Sequence, residues 1–249
     1  MWESFGKFKI KIFQLAETNV PRNNMKRGKK YRSASEKIEK GKTYSIEEAV
    51  QIIKAGKIAK FDESVEAHVK LDIDTKKGEE QVRGLVVLPH GTGKEKKVGV
   101  ITAMKAAEAK AAGADLVGGE ELIEKIKNGK LETMDVLVAT PEMMPKLASV
   151  AKILGPRGLM PSPKTETVTE KIQETVSALK KGKASFKNDN TGNIHQVVGK
   201  LSFSEAMLKE NLAAFLEAIQ KAKPNSVKGK FILAVSVCST MGPGIKIDF

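Results

Sequence analysis

Two spacings of apolar residues divide the chain. Between Ser45 and Gly56 the apolar positions Ile46, Ala49, Val50 and Ile53 recur at steps of three and four, which predicts a helix over about 45–55. Ser45 with Glu48 three residues on is a capping box, and Gly56 is a stop. From Ser64 to Ile73 the period drops to two. Val65, Ala67, Val69, Leu71 and Ile73 alternate with Glu66, His68, Lys70 and Asp72, predicting a strand with one wet face on which His68 lies. From Val82 onward short, nearly continuous apolar runs alternate with helical stretches. They read GLVVLP; VGVIT then AMKAAEAKAAG; ADLVGG then EELIEKIKNG; MDVLVAT then PEMMPKLASVAKILG. Strands buried on both faces and joined by helices predict βαβ units and a parallel sheet. This region closes with GPRGLMPSPK and a helix over about 168–180, ended by Gly182. Half-buried strands then return as ASFKN and NIHQVVGKLSF, followed by a helix from Ser204 to about Lys223 and the strand GKFILAVSVCST.

These last strands need partners, and the earlier strand of that type is 64–73. The economical topology joins both chain ends into one discontinuous α+β domain, an antiparallel-type sheet with helices, from residues 25–90 and 181–249. An α/β domain, 91–180, is inserted between them. The two crossings, near Leu88–Lys94 and Lys181–Lys183, would lie side by side with glycines nearby, a plausible construction for a hinge. Residues 1–24 fit helix and strand spacing alike and make a poor transit or secretory signal, so they stand apart as an N-terminal extension. Met25, followed by KRGKK, is a second candidate start.

Composition removes several classes. The 249 residues are 41% hydrophobic and 29% charged, with no apolar run long enough to span a bilayer. A single cysteine, Cys238, rules out an internal disulfide. With three separate histidines (His68, His90, His195) it cannot build a Cys/His zinc cage, so no metal site and no cofactor is expected. Charge changes the picture more. An excess of 43 Lys+Arg over 30 Asp+Glu gives +13, which points to a polyanionic partner, nucleic acid before membrane. Residues 1–24 carry +2, 25–88 carry +4, 89–178 carry +1 and 179–249 carry +6, so the flanks hold the excess and the middle is nearly neutral, as an insertion would be. Lys26, Arg27, Lys29, Lys30, Arg32, Lys37, Lys40 and Lys42 face only Glu36 and Glu39. This basic arm reads either as a solvated arm or as one that orders on phosphates.

Catalytic motifs are missing. HGTGK at 90–94 would need glycine at Leu88 and Ser or Thr at Glu95 to be a phosphate loop, and glycine at Lys96 to be a dinucleotide fingerprint. GxSxG and HExxH are absent. The chain is therefore not expected to be an enzyme; the alternative, a nucleotide-binding enzyme built on the α/β insertion, is motivated by its βαβ texture alone. With only 12 aromatics a stacking platform for single strands is unsupported, and folded RNA read through phosphates, 2′-hydroxyls and shape fits better. Three segments have the composition of contact loops: KFDES at 60–64, FKNDNTGNIH at 186–195 and STMGPG at 239–244. Glycine lets an RNA backbone approach, and Ser or Thr can donate to it; each segment also reads as ordinary turn chemistry.

Together KRGKKYR (26–32), KFDESVE (60–66), VRGLVVLPHGTGK (82–94), ILGPRGLMPSPK (153–164), FKNDNTGNIH and STMGPG resemble, in order and spacing over residues 25–248, the L-one family of large-subunit ribosomal proteins, bacterial type. The resemblance implies a discontinuous α+β first domain and a Rossmann-like second domain. It also implies binding of large-subunit (23S-type) rRNA at the mobile stalk beside the exit site, with movement and release of deacylated tRNA there. Repression of translation through the protein's own operon mRNA is implied too. So are a protein monomeric when free, no membrane partner, and a place on the ribosome of a bacterial cytoplasm or an organelle descended from one. By position, Lys60, Phe61 and Ser64, with Thr240, Met241 and Gly242, match the family's principal RNA contacts. Ser64 stands where threonine is usual. Thr191, Gly192 and His195 continue the expected surface, and Lys187 and Ser239 in the same segments join the RNA-binding set. Where the family reads PNPKxGTV this chain has PSPKTETV, with Glu166 in place of a glycine.

Overall fold

The capping box at Ser45 forms as its spacing requires: Glu48 N–H donates to Ser45 Oγ at 3.3 Å, and Ser45 N–H donates to Glu48 Oε2 at 3.1 Å. The computed structural model describes residues 27–39, 41–129, 134–227 and 229–249; the extension 1–24 and Lys26 and Lys40 of the basic arm lie outside them. In chain order, helices α1 (Lys29–Glu36) and α2 (Ile46–Ala55) precede strands β1 (Ser64–Leu71) and β2 (Arg83–Val87). Then come β3 (Val98–Ile101), α3 (Ala106–Ala111), β4 (Leu116–Gly118), α4 (Glu120–Lys127), β5 (Val136–Ala139), the single turns α5 (Met144–Leu147) and α6 (Ala151–Leu154), and α7 (Ile172–Lys180). The chain ends with β6 (Lys183–Lys187), β7 (Asn193–Lys200), α8 (Glu205–Lys221), β8 (Ile232–Ser239) and β9 (Ile245–Ile247).

The result is a mixed α/β fold with antiparallel and parallel sheets. Chain ends do meet in one sheet: its order is β7-β1-β8-β9, with β1 antiparallel to β7 on one side and to β8 on the other. The alternation foreseen at 64–73 appears in the burial, with Val65, Ala67, Val69 and Leu71 covered and Ser64, Glu66, His68 and Lys70 toward the other face. The covered face packs on α2 and α8, whose Leu208, Leu212, Phe215, Leu216 and Ile219 recur at helical spacing and are buried. The central strands are parallel, in the order β4-β3-β5. One face of this sheet gathers Val98, Val100 and Val138 with Ile172, Val176 and Leu179; the other gathers Ile101, Leu137 and Ala139 with Ile123, Leu147 and Leu154. Both faces are buried, which is why its strands read as unbroken apolar runs.

Several expectations need correction. GLVVLP does not belong to the parallel sheet: β2 pairs antiparallel with β6, and Val82, Val86 and Leu88 join the cluster under β1 and α8. The run hid its alternation because an apolar residue, Val87, also occupies the open side, 58% exposed. For the same reason ASFKN, which is β6, does not join the larger sheet. The helix expected from 168 begins at Ile172; Val168 instead forms an isolated parallel bridge beside Ala139 of β5. The helical run after β5 breaks into short turns, with Pro141 and Pro145 among the first residues of two of them. The basic arm contains a helix, α1, and the small strand β9 had no periodicity long enough to read.

The two chain crossings are brought together as expected. A Cβ added at Gly182, whose φ is +109°, would lie 2.5 Å from Gly91 Cα and 3.2 Å from Leu88 O, so the strands of the crossing touch backbone to backbone. Asn211 of α8, fully buried, ties them down: its amide donates to Gly91 O (2.9 Å) and Val198 O (2.7 Å), and its Oδ1 accepts from His90 N–H (3.1 Å). Gly158 also has a positive φ but has nothing within 4 Å of an added Cβ. Gly158→Ala should therefore cost about 1 kcal/mol for its conformation, whereas Gly182→Ala should cost about 3 kcal/mol or more because a clash adds to the strain. Urea melts followed by circular dichroism measure both, and equal losses would show that the crossing has slack.

Candidate nucleic-acid interface

The loop before β1 and the loop after β8 are built as one unit. Pairing of Val65 with Ser239 sets their backbones side by side. Thr240 N–H donates to Ser64 O at 3.0 Å, and Ser64 N–H donates to Thr240 Oγ1 at 3.0 Å. Beneath them lies Glu63, fully buried. Its Oε1 accepts from the N–H groups of Ile58 (3.0 Å) and Ala59 (2.7 Å), and its Oε2 from Met241 N–H (3.3 Å). Burial pushes this carboxyl up, but the Ser239 hydroxyl and the N–H groups of Ala59, Ile58 and Met241 outweigh it and hold Glu63 below its ordinary value. Asp62 accepts from Ser202 N–H and Oγ at 3.1 and 2.9 Å, fixing the other side of the loop. Gly242 turns so closely over Ser239 that an added Cβ would lie 2.5 Å from its Oγ.

With the backbones held from below, apolar side chains are left facing outward: Phe61 is 54% and Met241 52% exposed. Lys54, Lys57 and Lys60 line an adjoining groove of about 420 Å³ with Asp62, Leu201 and Ser202. On the other side Ala34 of α1 and Ile38 just after it sit around a crevice shared with Ile52, Gly56, Ser239, Gly242 and Pro243. The arm is thereby docked beside the STMGPG loop, with Arg27, Lys29, Lys30 and Arg32 exposed. Arg27 lies over the Tyr31 ring at 4.9 Å.

The third expected loop lies elsewhere. Ser64 pairs with Lys200 at one end of β1 and Lys70 with Asn193 at the other, so Thr191 and Gly192 are about 20 Å from Thr240 along the strand. This turn is organised internally. Asp189 accepts from Thr191 N–H, Thr191 Oγ1 and Asn193 N–H, each at 2.8 Å. Those bonds, from Asn193 first, hold its carboxyl far below the usual range. The Lys70 ammonium donates to Thr191 O, and Gly192 takes φ +78°. Lys187 is exposed on β6 directly opposite Arg83 of β2. His195 stands midway, half-exposed on the uncovered sheet face and paired with His68; Ser236, Cys238 and Lys246 of β8 and β9 share that face. This uncovered face connects the two ends.

Thr240 and Ser239, proposed from sequence as contacts, also serve the fold: the Thr240 hydroxyl is turned onto Ser64, and Ser239 is buried against Glu63. Glu63, Asp62 and Lys200, whose ammonium donates to Ser64 Oγ at 2.9 Å, were not foreseen, since the partners that join them to the other loop or strand, Met241, Ser202 and Ser64, are more than a hundred residues away. HGTGK is no open phosphate loop: an added Cβ at Gly93 would lie 2.6 Å from the Lys200 side chain and 3.1 Å from Phe203. His90 Nε2 is 2.6 Å from Glu210. Among the described residues no three or more His, Cys, Asp or Glu side chains are arranged to enclose a metal ion. Nor is any described helix long and apolar enough to cross a membrane.

A carboxylate whose folded pKa lies below its unfolded one contributes stability above the unfolded value and loses it as the pH falls through the folded value. Glu63→Gln should therefore lower stability by about 1–3 kcal/mol at pH 7, with the gap to wild type closing as the pH is taken below about 4. Urea melts at pH 7 and pH 3 test this, and an unchanged gap would show that the charge is not the tie.

The family model described as ribosomal protein L1p/L10e matches residues 53–243. The large ribosomal subunit protein uL1 of Kosmotoga olearia is 52% identical over 224 residues, covering 90% of this chain and 96% of that protein. The protein of the same name from Mycoplasma capricolum is 48% identical over 221 residues (89% and 98%), and that from Solibacter usitatus 48% over 224 residues (90% and 94%). With most of both chains aligned at about half identity, and the paired loops 60–64 and 239–242 inside the matched span, this chain belongs to the ribosomal protein L1p/L10e family.

Proposed function

We propose that the chain is a structural protein of the large ribosomal subunit that binds ribosomal RNA at the end of the four-stranded sheet where loop 57–64 meets loop 239–244. One observation carries the reading. Glu63 and Thr240 hold two segments 176 residues apart as a single surface, from which Phe61 and Met241 project beside Lys54, Lys57, Lys60 and the docked basic helix. Apolar side chains left exposed on a rigid base, within a cationic rim, suit a folded RNA that is held through phosphates and packed against sugars or bases. The names of the relatives and the net charge of +13 support the same partner.

In the finer reading, residues 25–90 and 181–249 are the RNA-binding unit and 91–180 a Rossmann-like unit inserted in it. The bound RNA is the mobile stalk beside the exit site, where the protein assists departure of deacylated tRNA. A similar structure in its own operon mRNA is the target of repression. The free protein is a monomer of the bacterial cytoplasm and has no catalytic role. Support for this level comes from the resemblance of the six sequence segments.

The experiment is a salt-dependent titration of the full chain against stalk RNA and a scrambled hairpin. Phe61→Ala and Met241→Ala should each weaken stalk binding by about 1–3 kcal/mol without lowering thermal stability, because neither side chain supports the core. Lys57→Ala should weaken both RNAs alike and reduce the salt slope by about one. Wild-type affinity from both apolar variants would remove the interface from this end of the sheet.

A further inference from the structure

His68 and His195 stand directly opposite each other where β1 pairs with β7. Their Nδ1 atoms are 2.7 Å apart and their rings meet edge to face, with centroids 5.0 Å apart and planes at 63°. The outer nitrogen of each ring is already engaged. His68 Nε2 lies 3.2 Å from Cys238 Sγ on β8, and His195 Nε2 lies 3.5 Å from Asp189 Oδ2 in the turn before β7. An imidazole that binds a metal through one nitrogen commonly has its other nitrogen held by a carboxylate or similar group, which fixes both tautomer and aim. Here two rings are braced from outside and converge inside. In the metal-free pair one Nδ1–H donates to the other ring's Nδ1 lone pair; when a divalent ion binds both Nδ1 atoms, that hydrogen passes by tautomer exchange to Nε2 of the same ring, which faces Cys238 Sγ or Asp189 Oδ2.

We propose that His68 and His195 chelate a divalent transition-metal ion of the zinc, cobalt and nickel class through their Nδ1 atoms, on the uncovered face of the sheet. Neutral imidazole suits these ions. Metal–nitrogen bonds of about 2.0–2.1 Å in a tetrahedral site put the two nitrogens about 3.3 Å apart. Opening the pair from 2.7 Å and turning both lone pairs onto one ion needs a ring rotation, for which the 53% exposed His195 side chain has solvent beside it. Glu66 on the same face of β1 favours a cation, and the Lys70 ammonium is tethered to Thr191 O. Cys238 reaches the far nitrogen of His68, so it positions the ring and is not a ligand. The site therefore has two protein ligands and open positions for water or an incoming group. It needs no RNA and stands apart from the RNA reading.

The test titrates the full chain, without RNA, with Co²⁺ by absorption and Zn²⁺ by calorimetry. One equivalent should bind, with visible cobalt bands of nitrogen and oxygen coordination, no sulfur-to-cobalt charge-transfer band, and displacement by Zn²⁺. His68→Ala and His195→Ala should each weaken binding about tenfold or more. Zinc should raise the melting temperature of the wild type and not that of the variants, which reports binding even if a variant is less stable. Cys238→Ser should keep its affinity within a few fold. Absence of saturable binding at millimolar metal, binding that survives both histidine variants, or a sulfur charge-transfer band lost in Cys238→Ser would each overturn the two-imidazole assignment.

Discussion

Strand β1 lies between β7 and β8, and its register against both sets the positions of the paired loops and of the facing histidines. Pairing of Val65 with Ser239 puts the loop before β1 against the loop after β8. Pairing of His68 with His195 on one side and Ser236 on the other assembles the histidine cluster. Because side chains alternate along a strand, a slip of one residue would turn Val65, Ala67, Val69 and Leu71 into water and bury Glu66, His68 and Lys70. The apolar set on the covered face, closed by α8, makes that slip costly. The shift in register between Val65 and Glu66 re-aims the end of β7 just where the two loops meet.

Joining the chain ends in one sheet imposes a second condition. Everything between β2 and β6 must leave and return at adjacent points, and the contact between Gly91 and Gly182 is the result. Asn211 reinforces it from inside the core. A buried amide costs stability unless its bonds are made, and here both its oxygen and its nitrogen find main-chain partners on the crossing and on β7. Glu63 does the same at the opposite end of the loops. In both places a buried polar side chain replaces the regular hydrogen bonding that irregular backbone lacks, so that a loop becomes as well positioned as a strand.

That arrangement separates holding from contact. Glu63, Ser239, Asp62 and the Thr240 hydroxyl work inward, leaving Phe61, Met241 and the lysines to face outward. The docking of α1 adds its cations to the same end without asking the arm to order on its own. At the other end Asp189 turns the Thr191 hydroxyl inward, so that turn presents mainly backbone and Lys187.

Local pattern was enough for the helix capped by Ser45, the alternation of β1, the βαβ run after β3, and the meeting of both chain ends in one sheet, because each rests on residues within a few positions or on one surplus strand. The turn-forming residues of KFDES and STMGPG placed irregular segments before β1 and after β8 for the same reason. Pattern failed where partners are distant or faces are mixed. GLVVLP has apolar residues on both sides, so its pairing with β6 left no period to read. The Ile58 and Ala59 N–H groups that Glu63 accepts from leave no mark in residue type, and its other partners, Met241 and Ser239, reach it from the far end of the chain. His68 and His195 look unrelated at a separation of 127 residues, and only antiparallel register brings their nitrogens together. Short-range physics wrote the elements into the chain; long-range pairing chose which of their side chains would meet.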